Sequence, residues 1–561
     1  MKNKYILVLG LITLLSCSED FLDRVPLHAP SETTFWQSEL DAEIAVNQLY
    51  DYLPNARRWW TECYSDNAIM TNAWGERGLG QIKQGSLSPT TGHIQPDYFW
   101  SEWKYQDIRR ILNYLANLET IEFENEDNAR NFEGQARFIL AMKYFRMSRY
   151  WGDLPLVTEP ITLEASRELT RSSQKEVFEF ILENVNTAVA FLPDTDDKTG
   201  RITQDAALML KAEVLMWMAS MDQYHSRSIS DISADQLWRQ AANALGTLIQ
   251  KNRYELSPDL TDVFLSKTNN ARSEAILARQ YVEEEITNFI DILGLPGGVG
   301  LRGGGWASFS APRNLVDTYE CIDGLSIQES PLYDITDPWA NRDKRLLEWF
   351  LLPGKDVLRV TPAGQEFIFS PFESHPEIGN PEAIGGEGGG GRSGYWCIKH
   401  VDLEATHVWG WTNWIIYRYA DALLLYAEAL NETAPGNDSI SWAMDQVRAR
   451  AGLPSVNPLQ GNQVDMRAKI WHERRVEMVS EEKRYFDLLR WKEAENAMNP
   501  SAGVLFGINE SFDDYLNRPG DWTATKVVAE PIMFDASRGY LWPVPQGVID
   551  KNPKISQNPG W

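Results

Sequence analysis

The chain has 561 residues, a formal net charge of −26 and only four cysteines. So large an acidic excess excludes nucleic acid as a partner, because phosphate recognition needs clustered Lys and Arg, and it excludes charge-driven adhesion to an anionic membrane. The cysteines are too few for a disulfide-built scaffold, and the length is enough for two or three packed units.

The first residues set the compartment. Lys2 and Lys4 precede an apolar run from Tyr5 to Leu15, and a small residue, Ser16, stands before Cys17. This is the pattern of a secretory signal, and the run is far short of the roughly 20 residues that span a bilayer. Leu14-Leu15-Ser16-Cys17 resembles a bacterial lipobox, which predicts removal of residues 1–16 and acylation of Cys17. Several acyl chains hold a protein on a membrane as one cannot. The alternative is an ordinary cleaved signal with a chance Cys, but this Cys sits where the apolar run stops. Loss of Lys2 and Lys4 with the leader takes the net charge to −28. The remaining Cys63, Cys321 and Cys397 allow at most one bridge, and without a CxxC pair no zinc site is expected.

Beyond the leader, apolar residues recur at helical steps, and the sets come in pairs. They run through Ala42, Ala45, Val46, Leu49 and Leu53, then Ile108, Ile111, Leu112, Leu115 and Leu118. Ala207, Leu210, Val214, Trp217 and Met221 are followed by Trp238, Ala241, Ala242, Leu245 and Leu248. Ala420, Leu423, Leu424, Ala427 and Leu430 are joined through Pro435-Gly436 to Ile440, Ala443, Met444, Val447 and Ala451. Each set marks one apolar face, and small residues beside large ones (Ala427 by Leu423) let helices approach closely. The expected fold is mainly α: helical hairpins stacked like degenerate tetratricopeptide repeats, an α-solenoid scaffold with loop-rich, short-strand regions packed on it.

The helical pattern breaks between residues 281 and 412, where Leu295-Pro296-Gly297-Gly298 and Gly385–Gly391 predict long loops. A second irregular stretch runs from Thr71 to Tyr98. The reading is a leader at 1–16, an N-terminal helical region at 17–270 and a C-terminal region at 271–561. The last divides into loop-rich 281–412, helical 413–498 and an irregular tail at 499–561.

Motifs of catalysis are missing. Gly298-Val299-Gly300-Leu301-Arg302-Gly303 matches GxGxxG but follows no strand and opens no helix, so no dinucleotide site is expected. A Walker loop, a GxSxG elbow and an HExxH helix are absent; after His472-Glu473, Val476 stands where the second His would be. The 79 acids always permit pairs suited to glycoside hydrolysis, but that chemistry needs two carboxylates at a set separation across a cleft. The densest run, Glu473 to Arg484, reads as a solvated or salt-bridged helix face. No cofactor is expected. Oxygen ligands are plentiful enough for a structural Ca²⁺, yet no loop has a dedicated calcium spacing.

Ordered motifs then carry a resemblance. They begin with Cys17-Ser18-Glu19-Asp20-Phe21-Leu22-Asp23 and continue with Glu133-Gly134-Gln135-Ala136-Arg137-Phe138 and Tyr150-Trp151-Gly152-Asp153-Leu154-Pro155. Arg201-Ile202-Thr203 and Asn341-Arg342-Asp343-Lys344-Arg345 follow, then Arg418-Tyr419-Ala420-Asp421 through Asn431 and Val447-Arg448-Ala449-Arg450. Glu473-Arg474-Arg475, Arg484-Tyr485-Phe486-Asp487 through Trp491, Leu541-Trp542-Pro543-Val544-Pro545 and Gln557-Asn558-Pro559-Gly560-Trp561 complete the set. Together they resemble the SusD/RagB family, the surface glycan-binding lipoproteins of Bacteroidota uptake systems. Glu481-Glu482 departs from the family's usual Glu-Gly without affecting the fold. The resemblance implies a tetratricopeptide-like scaffold and no catalysis. It also implies a poly- or oligosaccharide ligand, a lipid anchor on the outer membrane through Cys17, and a role as lid on a SusC-like TonB-dependent transporter. Arg418, Tyr419, Asp421 and Arg490 read as packing and salt-bridge residues.

With 22 Trp beside 21 Tyr and 21 Phe, sugar stacking is a candidate chemistry although most of these rings are core. Family analogy places binding on loops. The candidates are Trp74 and Arg77 in the first irregular stretch, and Arg302, Trp306 and Phe309 in the glycine-rich one; buried packing is the alternative for both tryptophans. Tyr395, Trp396, Trp409 and Trp411 are secondary. Competing functions are a glycoside hydrolase on a helical scaffold and a surface capture protein for peptide.

Overall fold

The computed structural model describes residues 35–70, 78–98, 101–265, 273–295, 305–353, 358–360, 366–368, 392–403, 405, 408–507 and 527–561. The leader and Cys17 lie outside these residues. The first long helix, α1, is Glu39–Leu49, opened by a reciprocal cap in which the Ser38 hydroxyl accepts from the Asp41 amide and the Asp41 carboxylate accepts from the Ser38 amide. A stack follows: α2 (Tyr105–Leu118), α3 (Glu126–Trp151), α4 (Gln174–Phe191), α5 (Gln204–Gln223) and α6 (Ala234–Gln250). Ser173 caps α4 in the same manner, the Ser233 hydroxyl accepts from the Gln236 amide at the start of α6, and Gly152, at φ 72°, ends α3.

The loop-rich part holds three short helices, α7 (Ile290–Gly294), α8 (Arg313–Val316) and α9 (Lys344–Trp349). Helices then resume as α10 (Tyr419–Thr433), α11 (Asp438–Arg450), α12 (Gln463–Glu477) and α13 (Arg484–Arg490). Each of α2 to α6 packs on the next, and α6 then takes α10, which carries α11 and α12. The scaffold is the expected α-solenoid of antiparallel hairpins, and one continuous apolar core runs from Ala42 to Ile555. A smaller core under the loop-rich part joins Leu260, Phe264, Leu315, Leu346 and Trp349 to Val476 at the end of α12.

Strands are short and occur as antiparallel pairs. Numbered in chain order, they include β1 (Ile69–Met70), β2 (Ala275–Arg279), β3 (Phe309–Ser310), β4 (Trp414–Arg418), β5 (Val504–Gly507) and β6 (Val527–Pro531). The pairings are β1 with β3, β2 with β4, and β5 with β6. The tail expected to be irregular therefore contains a two-stranded sheet. Cys63, Cys321 and Cys397 are all buried thiols.

Charge is organised inside the molecule. Glu473 and Glu477, on the buried face of α12, meet Arg345 of α9 at 2.6 and 2.8 Å, and Arg345 also holds Asp343 at 2.8 Å. Arg418, at the end of β4, reaches Glu274, Glu477 and Glu481 at 2.8, 2.8 and 2.6 Å. Arg474 binds Asp421 and Asp487, and Arg490 binds Glu428 and Asp487. Of the two readings of the run at 473–484, the salt-bridged one holds and the solvated one does not: Glu473, Arg474, Glu477 and Glu481 are buried. Burial of each charge is tolerable only because every carboxylate has guanidinium partners.

Glu62 has no guanidinium partner. It is buried, and its only side-chain partner is the Asn67 amide at 2.8 Å, which leaves Oε2 without a hydrogen bond. Burial pushes its carboxyl up to about 7. The folded state therefore binds the proton more tightly than the unfolded chain. The stabilisation this proton provides is complete below about pH 4 and is lost as pH rises through 7, roughly 3 kcal/mol in all. We expect Glu62→Gln to flatten this part of the stability profile: between pH 4.5 and 8 the urea midpoint of the variant rises relative to that of the parent. Parallel profiles would show that Glu62 is already ionised at low pH.

Candidate functional site

Most of the 22 tryptophans are spent on packing. Among the described residues only Trp306, Trp409 and Trp442 are exposed, at 45%, 49% and 47%. The first two are mounted on the same short helix, α7. Trp409 lies against Phe289, the residue before α7, with ring centroids 4.0 Å apart. It is fixed there by a reciprocal pair of backbone bonds: Asn288 N–H donates to Gly410 O at 2.7 Å and Gly410 N–H to Asn288 O at 2.9 Å. On the other side, residues 306–308 run along α7. Trp306 N–H donates to Ile292 O, Ala307 N–H to Leu295 O and Ser308 N–H to Leu293 O, at 2.7, 3.0 and 2.8 Å.

Two glycines permit these approaches. A Cβ on Gly410 would stand 2.2 Å from Asp291 Oδ2, and one on Gly305 would stand 2.0 Å from Leu295 O. Ala307 is held at φ 39°, in the left-handed region a side chain normally avoids, immediately after the outward-facing Trp306. Beneath lies an aromatic layer. Phe309 is 3.9 Å from Trp59 between ring centroids and 6.3 Å from Trp60, and all three rings are buried. The surface is thus two outward indoles on a rigid, close-packed base.

Of the residues expected from sequence, Trp306 sits on this surface. Phe309 does not, and its reading as a ligand contact is corrected: β3 is buried along its length, and the ring fills the core against Trp59 with no face open to a ligand. Tyr395 and Trp396 are likewise buried, Trp396 within the pair of short strands Phe350–Leu351 and Trp396–Cys397. Trp409 is the secondary candidate that the structure places beside Trp306, and Trp411 follows it half-buried. Trp74, Arg77 and Arg302 lie outside the described residues. The residues bracketing them are brought together: β1, which precedes 71–77, pairs with β3, which follows 296–304, with Met70 opposite Phe309. Phe289, the support for Trp409, carried no signal in the sequence, since a lone Phe in Asn288-Phe289 reads as ordinary core.

A cavity of about 600 Å³ is formed by other elements, among them Trp103, Tyr105 and Ile108 of the α2 region and Val548 and Ile555 near the C-terminus. Among the described residues no group of three or more His, Cys, Asp or Glu is placed to hold a metal ion, and no helix is long and apolar enough to cross a membrane.

The profile of the SusD family matches residues 273–561, more than half of the chain. The chain belongs to the SusD family. A second SusD-like profile, described as starch-binding and associating with the outer membrane, matches residues 20–216. Among curated SusD-like proteins, P2 of Formosa agariphila is 22% identical, with both chains covered over their whole length. One from Bacteroides ovatus is 24% identical over 88% of this chain and 83% of its own. Solved structures share the fold. A SusD-like carbohydrate-binding protein of Bacteroides fragilis superposes with a TM-score of 0.77 at 22% identity, covering 93% of this chain and all of the other. A laminarin-binding SusD-like protein gives 0.66 at 20%, covering 94% of this chain and all of the other. The family's motifs at 418–431 and 473–491 include the buried ion-pair residues described above, so they mark the SusD scaffold.

Proposed function

We propose that this SusD-family protein is a cell-surface capture protein for poly- or oligosaccharide, anchored in the outer membrane through lipid on Cys17. In this reading it passes its ligand to a SusC-like TonB-dependent transporter, over which it acts as lid, and performs no chemistry on the ligand. The observation that carries the reading is the pair of outward indoles at α7, Trp306 and Trp409, where most of the described tryptophans are buried or half-buried. A pyranose presents a C–H-rich face that rests on such a ring, and each stacked unit contributes on the order of 1 kcal/mol. Single contacts are weak, so two platforms on one rigid base suit a repeating polymer. The glycan-binding descriptions of its relatives support the same ligand class. The carboxylates of Glu473, Glu274 and Asp421 are tied up in buried guanidinium pairs, which argues against their use in hydrolysis.

The test is affinity electrophoresis of the purified ectodomain in gels containing a panel of polysaccharides, with reducing ends assayed in parallel. Retardation by at least one glycan without release of reducing sugar is expected. Sugar release at enzymatic rates, or indifference to every polysaccharide together with binding of peptide, would overturn the proposal.

A further inference from the structure

The tryptophan surface does not stop at Trp409. Residues 409–413 lead into β4, and burial alternates along them. Trp409 is exposed, Trp411 and Asn413 are half-buried, and Gly410, Thr412 and Trp414 are buried. An extended chain turns every second side chain to one face, so Trp409, Trp411 and Asn413 form an outward row about 13 Å long. Both ends of the row are fastened to the segment that leaves β2. Gly410 pairs with Asn288, whose side-chain amide also donates to Thr412 O at 2.9 Å. At the far end, Asn413 Oδ1 accepts from the Tyr281 amide at 2.8 Å and Asn413 Nδ2 donates to Gln280 Oε1 at 3.1 Å. Trp414 then stands opposite Arg279 of β2.

At Gln280 the row reaches a cavity of about 350 Å³, within the roughly 300–1,000 Å³ of small-molecule sites. Its wall brings together Asn47 near the end of α1, Tyr50 just beyond it, Gly200 and Arg201 ahead of α5, Gln280, and Ile286 of the tight turn closed by the Val282–Ile286 bridge. A close approach holds two of these segments together: a Cβ on Gly200, at φ 83°, would stand 2.5 Å from Gln280 Cγ. Ile286 and Asn47 are both exposed at the mouth. From Ile286 to Phe289, which supports Trp409, is no more than about 10 Å of chain.

The lining suits an uncharged sugar. The cations of the wall are already matched: Lys198 and Arg201 share Glu43, and Arg279 meets Asp51 at 2.8 Å. What the cavity then offers is the amide side chains of Asn47 and Gln280 beside the apolar Ile286. A pyranose needs that combination, with hydroxyls at its edge for the amides and a C–H face for the apolar lip. Weak contacts at linked points along one polymer reinforce one another.

We infer that this cavity is a further sugar subsite, reached along the Trp409–Trp411–Asn413 row, and that the ligand is a neutral glycan held over a longer stretch than the two exposed indoles cover. The inference rests on the glycan-binding reading above and names its substrate class. The test is calorimetry with oligosaccharides of graded length prepared from neutral laminarin, galactan and mannan, and from polygalacturonate as the charged arm. The parent should bind a neutral series, with affinity that climbs as the chain lengthens and then levels off. Replacing Asn47 and Ile286 together by Ala should weaken the longest neutral oligosaccharide about tenfold and make affinity level off at a shorter chain. The disaccharide, which rests on the indoles, should move far less, and the melting temperature should hold because both side chains are exposed. Preference for the oligogalacturonates, or long-chain affinity equal in parent and variant, overturns the inference and leaves the function standing. Failure of the parent to bind any glycan overturns both.

Discussion

Arg418→Met should destabilise the protein by about 3–5 kcal/mol, read as a fall in the urea midpoint of the ectodomain. The guanidinium is buried and contacts three carboxylates, those of Glu274, Glu477 and Glu481. Methionine fills much of the volume, so the loss is electrostatic: negative charges remain in the interior with fewer partners. Glu477 keeps Arg345 and Arg450, Glu274 keeps Arg450, and Glu481 keeps Lys399. That residual pairing is why the expected loss is a few kcal/mol and not a failure to fold. The control is Arg239→Met, which removes an exposed pair with Asp235 four residues away on α6 and should cost no more than about 0.5 kcal/mol. Equal effects from the two variants would mean that the buried pairs contribute no more than a surface one.

Replacing Trp306 and Trp409 together by Ala should lower affinity for the captured glycan by roughly 10- to 50-fold, each ring supplying on the order of 1 kcal/mol. Both side chains are about half exposed, so thermal unfolding should hardly move. Phe309→Ala inverts the pattern. Its ring is packed on Trp59 in the core, and removing it should cost about 3–5 kcal/mol of stability. A double variant that folds normally and binds as the parent does would remove α7 from the site.

Much of this architecture could be read before any coordinates. Paired apolar faces at 207–221 with 238–248, and at 420–430 with 440–451, became α5 with α6 and α10 with α11; α6 and α11 keep an open face, whereas α5 and α10 are buried nearly all round. The longest helix, α3, gave no such apolar face. From Gly134 to Trp151 nearly every residue is buried, including Lys143, Arg146 and Arg149, so polar and apolar residues alternate without period. It was legible only through its resemblance to family motifs. The site was half legible for a different reason. Glycines around an aromatic residue announce a loop, but whether the ring faces water depends on what packs over it: Trp306 lies outside the layer, whereas Phe309, three residues on, enters the pairing with β1 and is buried with its neighbours on both sides. No local pattern distinguishes them.

The docking of α6 on α10 has a cost during biogenesis. The helix that covers α6 begins at Tyr419, although α6 itself ends at Gln250. As the polypeptide folds, whatever α5 leaves open of the greasy stripe of Leu237, Trp238, Ala241, Leu245 and Leu248 must wait for more than 160 further residues before α10 covers it. Early intermediates are therefore sticky at that point.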